Sequence, residues 1–394
     1  MTDLSIIMPC YNRAYDLHRI LLAYDQQAGR EPFELIAVDD ASTDETYAVL
    51  TGFRPRNFSY KTIRQETNRG PAAARNLGIR QARGAVILFV GDDILPDRDL
   101  VKGHLAAHRK YPSAETAILG QVMWGEDLPV NTLMAHIDGI GAQQFSYYYL
   151  KNEQPYDFRH FYTANISLKR ELLFRADKWF DEDFAYAAFE DVELSFRLSR
   201  ASMQIIYCAP LVGYHYHYHT IWSFSIRQYR AGLMSCVIVE KHPAVARLAW
   251  GPNWKKKISI WKMLLKLGYK PSLDVDWLES QALQLGGFYE WQPHPLLDHF
   301  YLQILTYYYY KGILEGSFGE TANGKKLGQV YASQTLAPLL AWFIRQSLDM
   351  QQPLPQGVGE QMIEKITRGG NWASNQFIRL QTSRMLAART QRKR

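Results

Sequence analysis

The chain reads LSIIMPCYNRAYDLHRILLAYDQQ from Leu4 to Gln27 and FELIAVDDASTDET from Phe33 to Thr46. Leu4–Met8 is a short unbroken apolar run, the pattern of a strand buried on both faces. Pro9–Arg13 interrupts it as a turn. Ala14–Gln27 then carries Leu17, Ile20, Leu21 and Tyr24 at the spacing of one helical face. The cycle repeats. Phe33–Val38 is a second strand, and Asp39–Asp44 a turn that caps a short helix through Thr43 or Asp44. Tyr60–Arg64 is a third strand, Pro71–Ala82 a helix and Ala85–Val90 a fourth strand. This alternation predicts an α/β fold with a parallel sheet covered by helices on both faces. Ligands of such sheets bind beyond the carboxyl ends of the strands. The polar clusters Pro9–Asn12, Asp39–Asp44 and Gly91–Asp93 fall in those places.

Working outward, further strands are expected at Ala117–Met123, Tyr162–Leu168, Ile205–Cys208 and Val212–His217. From about Ile221 the pattern turns mainly helical, with breaks near Gly251–Pro252 and Gln351–Gly359. A length of 394 residues suggests two or three domains, and 47% hydrophobic with 21% charged residues is the balance of an ordered globular protein. Cys10, Cys208 and Cys236 are too few and too scattered for a disulfide framework, so a reducing compartment is expected. MTDLSIIMPCYN carries no basic leader and no cleavage site, and no apolar run reaches the roughly 18 residues of a membrane span. The expected location is therefore cytoplasmic.

With 45 Lys+Arg against 39 Asp+Glu the formal charge is +6. Seven basic residues and no acidic one lie between Ile366 and Arg394, which leaves the rest of the chain at −1. The basic pI thus belongs to a tail. A nucleic-acid partner, which needs a basic body, is not expected.

Alone, each polar cluster is weak; an Asp-Asp pair at a strand end caps many ordinary helices. Together, in order, they resemble the family 2 glycosyltransferases, inverting enzymes with the GT-A fold. The resemblance rests on SIIMPCYNR (Ser5–Arg13), VDDASTDET (Val38–Thr46), NRGPAAARNLGI (Asn68–Ile79), ILFVGDDILP (Ile87–Pro96), TANISLKRELL (Thr163–Leu173), FEDVELSFRL (Phe189–Leu198) and GYHYHYH (Gly213–His219). It covers residues 1 to about 232. It implies a Rossmann-like GT-A catalytic domain with a mostly parallel central sheet over 1–232; the pattern and the charge add a mainly helical region over 233–365 and a basic tail over 366–394.

The resemblance also implies a nucleotide-sugar donor, UDP-linked by preference, and a hydroxyl acceptor on a glycan or glycolipid. Donor-site residues are expected among Pro9, Tyr11, Asn12, Asp39, Asp40, Asn68, Arg75 and Asp92. Pro9–Tyr11 offers backbone groups and an aromatic face to a base, Asp39 an acceptor for a base imide or ribose hydroxyl, and Arg75 a charge for phosphate. Arg75 as an ion-pair partner of Asp39 or Asp92 is the competing expectation. Gly91-Asp92-Asp93 takes the D-x-D position. There a divalent ion, Mn²⁺ or Mg²⁺, offsets the charge of the diphosphate leaving group. Many relatives carry three acids at this point, whereas this chain has Gly91 in the first place. Asp93 is expected to bind the metal and Asp92 to lie nearer the ribose. His215, with His217 as second choice, completes the metal site, and all three of His215, His217 and His219 should share one strand face. Asp191 is the expected base and Glu190 an acceptor-orienting group. Their place at a helix start favours the ionised form. Ile221–Gly232, with Arg227, Gln228 and Arg230, matches a family pattern that closes over the diphosphate.

In the helical part, WKKKISIWKMLLKLGYK (254–270) places Lys255, Lys262, Lys266 and Lys270 in one stripe. That composition suits a helix at an anionic membrane surface, and equally a helix packed on the catalytic domain. Tyr307–Tyr310, Trp277, Phe288 and Trp291 offer stacking surfaces for sugars, although aromatics at helical spacing are more often core. The alternative function is a non-catalytic module of the same fold that binds a nucleotide-sugar or glycan.

Overall fold

A computed structural model describes residues 2–27, 29, 31–139, 143–268 and 295–317. The described strands are β1 (Leu4–Cys10), β2 (Phe33–Asp39), β3 (Ser59–Arg64), β4 (Val86–Val90), β5 (Ile94–Pro96), β6 (Thr116–Trp124), β7 (Pro155–Tyr156), β8 (Asn165–Lys169) and β9 (Gln204–His215). They form one sheet in the order β3-β2-β1-β4-β8-β6-β9-β5, with β7 added to β9. The β3-β2-β1-β4 half is parallel throughout, as the alternation predicts. β8 runs antiparallel between β4 and β6, and β6 pairs parallel with β9.

Helices α1 (Ala14–Asp25), α2 (Thr46–Gly52), α3 (Gly70–Gln81), α4 (Leu100–Lys110), α5 (Thr132–Asp138), α6 (Arg170–Phe174), α7 (Glu190–Ser199), α8 (Ile221–Lys241), α9 (Ala246–Trp250), α10 (Trp254–Lys266) and α11 (Pro295–Ser317) complete the described residues. Alternate residues of β1 feed two cores. Ile7 packs with Ile36, Phe89, Ile166 and Leu194 on one face, while Leu4, Ile6 and Met8 pack with Leu17, Leu35 and Leu88 on the other. The unbroken apolar runs are therefore explained by burial on both faces.

Two expected strands prove to be one. Ile205–Cys208 and Val212–His217 merge into β9, whose register against β6 jumps between Gly120 and Gln121. Pro210 has no N–H to give the ladder at that point. Asn165 fills the gap, its Nδ2 donating to Gln121 O at 3.0 Å and Leu211 O at 2.9 Å. The strand also stops at His215 rather than His217, because β6 ends at its partner Trp124 and β5 begins at its partner Ile94.

The residue 232/233 boundary falls within α8, which runs unbroken from Ile221 to Lys241. α8 and α11 cross closely enough that a Cβ on Gly232 would lie 2.1 Å from Tyr309 O, and one on Gly312 2.1 Å from Tyr229 O. α11 also joins α5 through Thr132 Oγ1 to Tyr301 OH (2.6 Å) and His136 Nδ1 to Asp298 Oδ1 (2.8 Å), all buried. Tyr307, Tyr308 and Tyr310 are core. Ile258 and Trp261 of α10 pack against Trp250, Tyr310 and Ile313, and Lys255, Lys262 and Lys266 are exposed. Among the described residues no helix is long and apolar enough to cross a membrane. Lys270, Trp277, Phe288, Trp291 and residues 366–394 lie outside the described residues.

Candidate active site

The turns after β1, β2 and β4 and the start of α7 open onto one cleft of about 690 Å³. Pro9, Tyr11, Asp40, Asn68, Arg75 and Asp92 line it; Asn12 and Asp39 are not among its lining residues. Asn12 takes a left-handed conformation (φ 51°) and ties the first two turns together. Its Oδ1 accepts from Thr43 N at 2.8 Å, and its N–H donates to Ser42 Oγ at 3.0 Å. Asp39 is fully buried and lies 3.2 Å from Arg64 Nε, with Ser42 N donating to it at 3.3 Å. Asp40 accepts from Arg69 N and Gly70 N, both at 2.8 Å, and from Gln65 Nε2 at 2.6 Å. It therefore anchors the entry to α3, and burial raises its carboxyl above the usual range despite those donors. Asn68 Nδ2 donates to Asp40 O at 3.2 Å. Tyr11 is 46% exposed and presents its ring to the opening, while its N–H donates to Asp92 Oδ2 at 3.0 Å.

Asp93, His215 and His217 come together. Asp93 Oδ2 lies 3.3 Å from His215 Nε2 and 3.1 Å from His217 Nδ1, and one ligand atom from each residue fits within 4.8 Å of the others. An octahedral ion bound at about 2.1 Å needs neighbouring ligand atoms about 3 Å apart, so the triad fits a divalent cation. One carboxylate with two imidazoles suits Mn²⁺ better than the all-oxygen preference of Mg²⁺. His215 is stacked on Trp124 at 5.1 Å, which fixes its ring. His219 stacks on His217 at 4.3 Å and is buried. The three rings cluster although the strand ends at His215.

Burial alone would raise Asp93, but His215, His217 and Arg13 outweigh it and hold the carboxyl well below the ordinary range. Burial pushes Asp92 up to about 7, Arg13 opposing and Asp93 adding. Burial also lowers His217 despite Asp93, favouring the neutral imidazole that a metal requires. Gly91 has a local reason: a Cβ there would stand 2.6 Å from Asp93 Oδ1.

At the start of α7, Phe189 adopts φ 67° and turns Glu190 and Asp191 into the helix. Both acids line the cleft. Arg75 pairs with Glu190, Nη1 to Oε1 at 2.8 Å, and not with Asp39 or Asp92. Asp191 is pushed up to about 7 by burial first and by the charge of Glu190, with Arg75 opposing. The expected effect of the helix start, to favour the ionised form, is thus outweighed by desolvation.

Two sets of cleft residues carry no role in the sequence reading, Arg13 and the pair Gln143 and Gln144, while Arg227 stands in the cleft with the Ile221–Gly232 pattern that named it. Arg13 closes the SIIMPCYNR motif, but nothing in the pattern says which way it turns. Gln143 and Gln144 sit in no motif; each leaves a buried Oε1 without a hydrogen-bond partner. Arg227 of α8 reaches the cleft, where Asp93, Glu190 and Asp191 all act on it.

A four-strand parallel half-sheet, a carboxylate–imidazole triad at its carboxyl edge and a second acidic pair across the same cleft define a GT-A fold. Residues 5–174 match the family model Glycosyl transferase family 2. An uncharacterised glycosyltransferase of Bacillus subtilis is 36% identical over 30% of this chain and 30% of its own length. Validoxylamine A glucosyltransferase of Streptomyces hygroscopicus subsp. jinggangensis is 30% identical over 50% of this chain and 51% of its own. The chain thus spans about half or less of the length of these relatives. The mannosyltransferase of Pyrobaculum calidifontis, solved with GDP-Man and Mn²⁺, superimposes with a TM-score of 0.51 at 16% identity. That superposition covers 80% of this chain and 87% of the other, a likeness of fold.

Proposed function

We propose that the protein is an inverting, metal-dependent glycosyltransferase that moves a sugar from a nucleotide-diphospho-sugar to a hydroxyl of a glycan or glycolipid acceptor. The carrying observation is that the Asp93–His215–His217 triad and the Asp191 carboxylate open onto one cleft. A uridine-linked donor is tried first and a guanosine-linked one second, since the Pyrobaculum neighbour holds GDP-Man.

In this reading Asp93, His215 and His217 hold Mn²⁺ or Mg²⁺. The ion supplies Lewis-acid stabilisation of the departing diphosphate. Tyr11 faces the base, and Arg227 adds positive charge beside the phosphates. Asp191, near 7, takes the acceptor proton as the acceptor oxygen bonds to the anomeric carbon and the bond to the diphosphate breaks. One displacement inverts that carbon. Glu190, held by Arg75, orients the acceptor. The exposed lysines of α10 support a contact with an anionic membrane at its cytoplasmic face, where glycolipid or polysaccharide acceptors are assembled.

The test is release of nucleoside diphosphate over a donor panel, with and without EDTA. Asp191→Asn should keep donor binding and lose transfer by about 10²–10⁴-fold. Near-normal turnover in that variant would remove Asp191 as the base. EDTA-insensitive transfer would remove the metal.

A further inference from the structure

Arg13 holds a place that the reading above leaves unused. Its backbone N–H donates to Thr46 Oγ1 at 2.6 Å, which fixes the point from which the side chain starts. The guanidinium passes Asp92, Nε lying 3.6 Å from Oδ1, and enters the corner between Asp93 and His217. There Nη2 is 3.3 Å from Asp93 Oδ2 and 3.2 Å from His217 Nδ1. A guanidinium only donates, so in the tautomer that makes this bond His217 Nδ1 accepts. In the other tautomer Nδ1–H donates to Asp93 Oδ2, and in neither is its lone pair free. A neutral imidazole has one accepting nitrogen with one lone pair. Nδ1 is also the His217 atom nearest Asp93 Oδ2, at 3.1 Å. His217 Nδ1 can therefore serve Arg13 or a metal ion, and never both.

We propose that Arg13 is an internal cation that gates the metal site. Resting on the metal-dependent reading above, it holds His217 Nδ1 and part of Asp93 until a diphosphate in the cleft offers its guanidinium a better anion. The guanidinium then turns to the phosphate, and His217 is freed to join Asp93 and His215. The class of ligand that opens the gate is a nucleoside diphosphate, because its doubly charged, multi-oxygen group matches a guanidinium fork. The consequence is linkage: the diphosphate and the metal each tighten the other, by the same factor.

The experiment titrates Mn²⁺ into the full chain by electron paramagnetic resonance, with and without UDP or GDP, in wild type, Arg13→Ala and Arg13→Lys. Pulsed measurement of ¹⁴N couplings counts the imidazoles on the ion. Wild type should show one imidazole without nucleotide and two with it. Arg13→Ala should show two in both conditions and bind Mn²⁺ alone about tenfold more tightly than wild type. Arg13→Lys, which keeps the charge but not the fork, should fall between them. The proposal is overturned if wild type already shows two imidazoles without nucleotide. It is equally overturned if Arg13→Ala binds more tightly with an unchanged count, which is a through-space charge effect. If no variant binds Mn²⁺ even with nucleotide while each retains its thermal transition, the metal-dependent reading falls first and the gate with it.

Discussion

Replacing Glu190 with Gln should move the pH dependence of transfer toward acid. Asp191 is raised to about 7 partly because Glu190 sits beside it. For carboxylates about 7 Å apart at an effective dielectric near 20, the repulsion is about 2 kcal/mol, or roughly 1.5 pKa units. Gln still accepts from Arg75 Nη1, so the pair now bonded at 2.8 Å keeps its shape. The charge of Arg75, no longer neutralised, pushes Asp191 in the same direction. Asp191 should settle near about 5.5. In wild type the base is ionised in about one molecule in ten at pH 6, so kcat/KM at pH 6 should be about one tenth of its value at pH 8. In Glu190→Gln that ratio should rise to about three quarters. The assay is nucleoside diphosphate release at saturating metal from pH 5.5 to 9. The ratio is internal to each protein, so any loss of acceptor orientation cancels. A ratio that stays near one tenth, or a shift toward alkali, would refute Asp191 as the group that limits the rate. Asp92, also near 7, has its shift set by burial, Arg13 and Asp93, and would leave the profile where it was.

Other outcomes follow from the same geometry. Asp93→Asn removes the only carboxylate of the triad, and the Mn²⁺-induced rise in melting temperature with nucleoside diphosphate should disappear. A rise equal to that of wild type would exclude Asp93 as a ligand. Gly312→Ala places a methyl group 2.1 Å from Tyr229 O, and denaturant unfolding should show a loss of about 1–3 kcal/mol. An unchanged midpoint would mean that α8 and α11 are not held together as described. His104 and His108 are pushed down by burial to about 4 and about 3, and both bond Ser167 Oγ at 2.8 Å. Below pH 6.5 the unfolded chain takes these protons first, so each histidine removes stability as the pH falls, by about 2 kcal/mol at pH 5. Buried acids such as Asp138 and Asp191, raised to about 7, act in the opposite sense. The measurable quantity is therefore the difference between proteins: His108→Gln should lose about 2 kcal/mol less than wild type between pH 7.5 and 5.

Most of the sheet was legible because each parallel strand is buried on both faces and announces itself as an apolar run. β1 to β4 and the helices between them follow the expected spans within a few residues. α4 escaped because its buried His104 and His108 read as polar, although they are satisfied by Ser167 and Asn165. Placement in the cleft was legible where it follows from position near a strand or helix end, as for Asp93, His215 and Asp191. It was opaque where a side chain chooses among partners distant in sequence. Arg75 finds Glu190, 115 positions away, and Arg13 finds His217, 204 positions away. Asp40 lines the cleft, and its carboxyl also answers two backbone N–H groups and a glutamine that no motif announces. No periodicity records such choices.

The cleft draws on chain far beyond the segment that carries the family signature. That segment ends at residue 174, whereas Asp191, His215, Arg227 and Tyr309 all line the same space. α5 connects both ends of this arrangement: Asn131, its N-cap, donates from Nδ2 to His219 O at 2.9 Å, and His136 and Thr132 grip α11. The stretch of chain that shapes the cleft is therefore longer than the matched segment. A chimaera that swaps residues 5–174 between relatives would exchange the turns after β1, β2 and β4 together with α5 and its Asn131 cap, but leave Asp191, His215, His217, α8 and α11 behind. Recombination that preserves a working machine must carry the histidine segment, α5, α8 and α11 as a single cassette.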